Sequence, residues 1–188
     1  MKKHYYTYNN LHCAATDIVL QMYRDNWRPD YVVGITRGGL PLALRISNLL
    51  DCRMETLKVK LRDNKPGEEC ESNCWMAEDA FGYVYVDDRD KTWGEAFSDP
   101  AKKKNILIVD DINDTGATFN WIKQDWQGGC LPNNANWDTV WGQNVRFAVM
   151  TENLSSEFGD VNYHWHEVNK VEDDVWLVYP WEYGGNND

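Results

Sequence analysis

Across residues 10–27, apolar side chains recur at every third or fourth position. Leu11, Ala14, Ala15, Ile18, Val19 and Met22 form one stripe, which predicts an amphipathic helix closed by Arg28-Pro29-Asp30. The pattern then changes period. YVVGIT (31–36) is a continuous β-branched run, the mark of a strand buried on both faces, and it breaks into Arg37-Gly38-Gly39. Residues 40–50 return to helical spacing with Pro41 in the first turn, and 53–61 alternate as another strand. NILIVDD (105–111) predicts a further buried strand, TGATFNWIKQDW (115–126) a helix, and VRFAVM (145–150) and DVWLVYP (174–180) two more strands. Between 62 and 105 the pattern dissolves into polar, charged, glycine-punctuated sequence with one short strand candidate, GYVYV (82–86). A connection of that length reads as a mobile functional loop or a hairpin excursion. Residues 128–144 form a second loop rich in turn residues, and GGNND is a loose tail.

Short apolar strands alternating with helices predict an α/β domain with a mainly parallel central sheet flanked by helices. Such sheets bind ligands beyond the carboxyl ends of their strands. Two strand ends here carry unusual chemistry, ITRGG (35–39) and IVDDINDTGAT (108–118).

At 188 residues the chain suits one domain. Its net charge of −11 repels nucleic-acid phosphates and excludes a general nucleic-acid binder. A phosphorylated small molecule would meet the same field unless the site reverses it locally. No apolar run approaches the roughly 18 residues of a membrane span, and no targeting segment is evident, so a cytoplasmic protein is expected. The five cysteines are odd in number and scattered; Cys70 and Cys74 in CESNC suggest at most half a zinc site, and free thiols are the expectation. Trp126, Trp137 and Trp141 suit core or interface packing.

In the turn after the second strand end, Gly116 lets successive amides face one concavity. The helix beginning there adds its positive end, and Thr115 and Thr118 add hydroxyls around Ala117. Together these make a phosphate cradle without a lysine. Asp110 and Asp111 end the strand, where a bend would let both reach sugar hydroxyls or the waters of a magnesium ion, which takes one or two carboxylates plus substrate phosphates. Asp114 lies at the mouth of the cradle, placed for proton exchange with a group bound beside the sugar. The competing reading makes Asp110 and Asp111 ordinary turn acids and Asp114 a helix N-cap.

ILIVDDINDTGAT (106–118) resembles the phosphoribosyl pyrophosphate (PRPP) binding motif of the type I phosphoribosyltransferases, and DYVVGITRGGLPLALRISNLLDC (30–52) resembles the first loop of the bacterial xanthine–guanine (6-oxopurine) members. VWLVYPWE (175–182) is similar to their purine-binding segment, so the resemblance covers most of the chain. It implies the type I fold as a single domain over 1–188, with 62–105 a flexible loop and 151–188 a small C-terminal hood. It implies transfer of phosphoribose from PRPP to a purine-type base (hypoxanthine, guanine or xanthine), releasing pyrophosphate, with Mg²⁺ as cofactor. Arg37, Gly38 and Gly39 would bind pyrophosphate around a cis peptide at Arg37–Gly38. Asp110 and Asp111 would hold ribose and metal, Thr115, Gly116, Ala117 and Thr118 the 5′-phosphate, and Asp114 would serve as general acid/base toward purine N7. Trp176 would stack on the base and Leu177 offer backbone atoms to its edge.

Two departures bear on the acceptor. The family places a lysine for the 6-oxo group after the strand equivalent to VRFAVM, and here TENLSSEFGD follows, with Asn153 the nearest donor. Val178 stands where the family has a glutamate. Lys58, Lys60 and Arg62 are cations near the expected pyrophosphate, and His164 and His166 alternate as in a strand. A PRPP sensor without turnover, or a transferase for a pyrimidine or modified base, are the alternative readings. The relatives imply a dimer or tetramer, with no nucleic-acid or membrane partner.

Overall fold

The computed structural model describes residues 2–61, 70–85, 96–130 and 136–182. At its centre lies a five-stranded sheet of β2 (Tyr31–Thr36), β3 (Arg53–Lys58), β6 (Ile106–Asn113), β7 (Val145–Asn153) and β8 (Tyr163–Val168). The order is β3-β2-β6-β7-β8, and every neighbouring pair is parallel. Parallel strands need covered faces, and the period-two alternation supplies both. Val32, Leu107, Val109, Ala148 and Met150 face one core, shared with α1 (Tyr8–Arg24) and α2 (Leu40–Leu50). Tyr31, Val33, Ile35, Ile106, Ile108, Phe147 and Val149 face the other, shared with α3 (Cys74–Phe81) and α4 (Ala117–Asp125). Full burial of each such aliphatic side chain contributes about 1.5–3 kcal/mol before entropy is charged against it.

Thr7 starts α1 through a capping box with Asn10, each side chain accepting from the other's backbone N–H at 3.1 and 2.9 Å. The stripe read from the sequence is the buried one, Leu11 through Met22. The 62–105 excursion holds α3 and an antiparallel pair of β4 (Tyr83–Tyr85) and β5 (Ala96–Ser98); 62–69 and 86–95 lie outside the described residues. The eight residues of α3 carry no side-chain N-cap, and Asn73 before it is left-handed at φ 45°, so its start has no sequence signal.

Cys74 and Cys130 form a disulfide, which corrects the expectation of free thiols; Cys13, Cys52 and Cys70 are free. Residues 56 apart in sequence meet because α3 and the turn after α4 cover the same sheet face, bringing their Cα atoms to 5.0 Å. The disulfide also takes Cys74 out of any zinc half-site. Trp141 stacks on Trp137 and on Phe147, with Trp126 tilted against it, in the same core.

The segment 151–188 divides between two sheets. Residues 151–153 complete β7 and 163–168 form β8, whereas β9 (Val175–Val178) pairs in parallel with β1 (Lys2–Tyr5) in a separate two-stranded sheet. Tyr6 stacks on Tyr179, and Tyr179 on Trp181, joining this small sheet to the domain. Among the described residues no helix is long and apolar enough to cross a membrane.

Candidate active site

From β2 the chain steps to β3 on one side; on the other side β2 meets β6, so strand order reverses between β2 and β6. In open parallel sheets such a reversal leaves a crevice beyond the carboxyl ends of the two strands. Both unusual strand ends lie there. The peptide joining Thr36 to Arg37 is cis, one bond earlier than the expected Arg37–Gly38. Thr36 is still paired with Lys58 of β3, so this bond is the first after the ladder ends. A Cβ on Gly39 would lie 2.3 Å from the Val109 carbonyl oxygen, and one on Gly38 2.3 Å from Oδ2 of Asp111. The loop therefore rests directly on the acidic strand end, with the Arg37 side chain exposed above it.

The short acids of β6 bond to the backbone beside them. Oδ1 of Asp110 accepts from the Asp111 N–H and Oδ1 of Asp111 from the Ile112 N–H, both at 2.9 Å. Burial pushes the Asp111 carboxyl above its usual range, and the charge of Glu182 adds to this. A cation would reverse that penalty. Among the described residues no three acids, histidines or cysteines converge to cage a metal. Two carboxylates fit Mg²⁺ carried in by a diphosphate, because that ion keeps substrate oxygens and waters in its shell.

Gly116 adopts the left-handed conformation at φ +86°, and α4 starts at the next residue. The side chain of Thr115 is exposed and that of Thr118 half-buried at this turn. A Cβ on Gly116 would strike the Phe158 backbone nitrogen at 2.5 Å, so the 156–158 loop forms the rear wall of the nest. Buried Asn113 holds that wall, donating to the Phe158 carbonyl at 2.8 Å and accepting from Ser156 Oγ at 3.0 Å.

Asp114 does not cap the helix. The N-cap is Gly116, with no side-chain cap, and the Asp114 carboxylate instead meets Lys170 Nζ at 2.9 Å. Asn153 donates to the Asp114 carbonyl at 2.8 Å, so its amide holds the acid rather than standing ready for a base. Trp176 is 51% exposed on β9. The Lys2 and Tyr6 N–H groups donate to the Asp174 and Val178 carbonyls, so even-numbered residues of β9 turn their peptides toward β1. The alternation along a strand aims the Leu177 peptide away from β1, while its side chain is buried. Lys58 ends β3 beside the crevice, and Arg62 is outside the described residues. His164 pairs with Glu167 and His166 with the Tyr6 hydroxyl. Sequence reasoning missed Lys170, which sits in a charged turn that reads as solvated surface, and the supporting role of Asn113.

Beneath the site, Glu152 is 9% exposed; Oε1 accepts from Asn113 at 2.8 Å and Oε2 is buried without a partner among the described residues. Burial raises its carboxyl above the ordinary value, outweighing Asn113 and His164, which lower it; Glu167 adds to the rise. The folded state thus holds this proton more tightly than the unfolded chain does. The associated stability is complete below the unfolded value of about 4.3 and is lost as pH rises through the folded one. Glu152→Gln should remove that loss. Thermal melts at pH 8 should show a Tm about 2–4 °C above the parent for each ~1 kcal/mol recovered, with the gap closing toward pH 4.

A model of the phosphoribosyl transferase domain matches residues 3–176. The hypoxanthine-guanine phosphoribosyltransferase of Schizosaccharomyces pombe is 24% identical over 203 aligned residues, covering 95% of this chain and 88% of the yeast protein. Purine phosphoribosyltransferase from Pyrococcus horikoshii superposes with a TM-score of 0.60 at 19% identity, covering 100% of this chain and 99% of that one. The Helicobacter pylori xanthine-guanine-hypoxanthine phosphoribosyltransferase gives 0.60 at 15% identity, covering 96% and 93%. At these identities the two structures share this chain's fold.

Proposed function

The chain belongs to the phosphoribosyl transferase domain family and is an enzyme of that class; on that premise we propose that it joins a purine base to PRPP, giving a nucleoside 5′-monophosphate and pyrophosphate. The carrying observation is the convergence at one strand-order reversal of the 37–39 loop, the Asp110–Asp111 pair and the left-handed nest at Gly116. The 5′-phosphate sits on the amides of residues 115–118 at the positive end of α4, which overcomes the anionic exterior locally. Arg37 and the loop amides hold the pyrophosphate. Asp110 and Asp111 hold the ribose hydroxyls and Mg²⁺, which when bound neutralises charge on the leaving diphosphate. Base N9 bonds to C1′ as the C1′–oxygen bond to pyrophosphate breaks, and its electron pair leaves with that oxygen. The proton on N7 passes to Asp114. Both reactants are held in line in a pocket that excludes water from the cationic sugar.

The test is a panel of purines and pyrimidines incubated with PRPP and Mg²⁺ while pyrophosphate is followed. Release with a purine supports the reading. PRPP binding without release for every base would make the protein a sensor, and release with pyrimidines alone would assign another acceptor. Trp176 is the proposed stacking platform, and base–aromatic stacking is worth about 1–3 kcal/mol. Trp176→Ala should therefore raise KM for the base about 10- to 100-fold with little change for PRPP. Equal effects on both substrates would remove Trp176 from the base site.

A further inference from the structure

His166 of β8 stands at one end of a hydrogen-bonded chain whose other end is the acidic tip of β6. Its Nδ1 meets the Tyr6 hydroxyl at 2.6 Å. Thr151 Oγ1 lies 3.1 Å from that hydroxyl, and the Tyr179 hydroxyl 3.0 Å from Thr151 Oγ1. The Tyr179 hydroxyl has a second acceptor in reach, the Asp111 carbonyl at 3.4 Å. Tyr6, Thr151 and Tyr179 are at most 3% exposed, so bulk water does not compete for these hydroxyls. The chain thus joins the residues that follow β1 and β9 to the strand end that carries Asp111.

Each hydroxyl carries one hydrogen, so the imidazole at the end sets every direction. A neutral ring with a bare Nδ1 accepts from Tyr6. Tyr6 then accepts from Thr151 and Thr151 from Tyr179, which makes the Asp111 carbonyl the longer of the two Tyr179 contacts, as observed. A proton from solvent at Nδ1 turns that nitrogen into a donor. Tyr6 then turns its hydrogen to Thr151, Thr151 turns its own to Tyr179, and the Tyr179 hydrogen is released to the Asp111 carbonyl. No proton travels along the chain; each hydroxyl keeps its hydrogen and rotates.

The groups around His166 leave the ring able to titrate. His4 of β1 stacks on it at 5.6 Å, and His164 and Glu167 lie on the same strand, paired with each other. β7 sets Thr151 opposite His166 and Glu152 opposite Glu167, and α1 meets the strand through Gln21, which donates to Asp17 and to the His164 carbonyl. Burial, then the charge of His4, hold the imidazole below its ordinary value against the pull of Glu167. The ring is therefore neutral at pH 7 and gains its proton in mild acid. We propose that His166 is a positioning residue for Asp111: its protonation reverses the chain through Tyr6 and Thr151 and turns the Tyr179 hydroxyl onto the Asp111 carbonyl, fixing the peptide of an acid assigned to ribose and Mg²⁺. This rests on the PRPP-binding reading given above.

Linkage is reciprocal, so a proton that favours PRPP binding is itself favoured by it. Imidazole nitrogen NMR of the full chain, titrated with and without PRPP and Mg²⁺, tests this. Without ligand, His166 should titrate below about 6.5 and its neutral form should carry the hydrogen on Nε2. With PRPP and Mg²⁺ bound, its midpoint should rise by about half to one pH unit, which corresponds to about 3- to 10-fold tighter binding by the protonated form, the worth of one neutral hydrogen bond. Tyr179→Phe keeps the ring stacked between Tyr6 and Trp181 and removes only the hydroxyl, so it should abolish most of that rise. Tyr6→Phe cuts the chain next to His166 and should do the same; it decides the matter if the first variant does not fold. Both keep the charge of bound PRPP, so a rise caused by that charge alone would persist in them. A midpoint that PRPP leaves in place, an equal rise in the phenylalanine variants, or a neutral ring with its hydrogen on Nδ1 would overturn the role of His166 and leave PRPP binding standing. No PRPP binding at any pH would overturn both.

Discussion

Asp114→Asn should lower kcat with the best base about a thousandfold, within the range that positioned proton transfer contributes, while PRPP affinity stays within about twofold of the parent. The substitution keeps the shape of the side chain and an oxygen that can accept from Lys170, and Asn153 still holds the residue by its carbonyl. It removes the capacity to take a proton from N7. In the proposed mode PRPP would meet other groups: the loop at 37–39, the acids at 110 and 111, and the nest at 115–118. Titration of PRPP by calorimetry beside a single-turnover assay separates the two effects. Turnover equal to the parent's would remove Asp114 from the chemistry, and a parallel loss of PRPP affinity would make it a binding group.

The second large effect divides two adjacent glycines. A methyl on Gly39 would press on three backbone atoms, the Val109 oxygen at 2.3 Å, the Asp110 Cα at 2.9 Å and the Ile35 nitrogen at 3.0 Å. All three belong to central strands of a filled core. Gly39→Ala should destabilise by about 3 kcal/mol or more, overpacking against a wall that cannot turn aside. In a chain of this length that lowers Tm by about 6–12 °C. The three atoms nearest a methyl on Gly38 all belong to the carboxylate of Asp111, at 2.3 to 2.9 Å. That side chain can rotate, so Gly38→Ala should keep stability within about 1 kcal/mol and lose about 100-fold in PRPP affinity as Asp111 is turned out of place. Thermal melts and PRPP titrations of both variants distinguish a folding defect from a site defect. Similar melts for the two would show that the loop is not pressed against β6.

The interior of the main sheet was legible because β2, β6 and β7 carry runs of apolar residues and the helices α1, α2 and α4 repeat at their own period, whereas the edge strands β3 and β8 carry polar residues and signal more weakly. Its functional end was legible for a related reason. Carboxylates and glycines at the tip of a buried strand contradict what burial alone would select, so ILIVDDINDTGAT and ITRGG stood out. Partners brought together by distant turns had no such signal. Lys170 stands in the polar turn VNKVEDD (168–174), and nothing local says that β8 and β9 will deliver its ammonium to Asp114. Asn153 read as a weak donor for the base, although the sheet spends its amide on the acid and on the Lys170 backbone. The Cys74–Cys130 bond was hidden likewise, because its two halves are separated by 56 residues and meet only once α3 and the turn after α4 cover the same face.

The pairing of β1 with β9 has a consequence for biosynthesis. Lys3 lies opposite Trp176, so one strand of this small sheet leaves the ribosome long before the other. At about 5–20 residues per second the first strand waits roughly ten to thirty seconds for its mate. Until β9 is made, β1 has no partner strand and the exposed face that carries Trp176 does not exist.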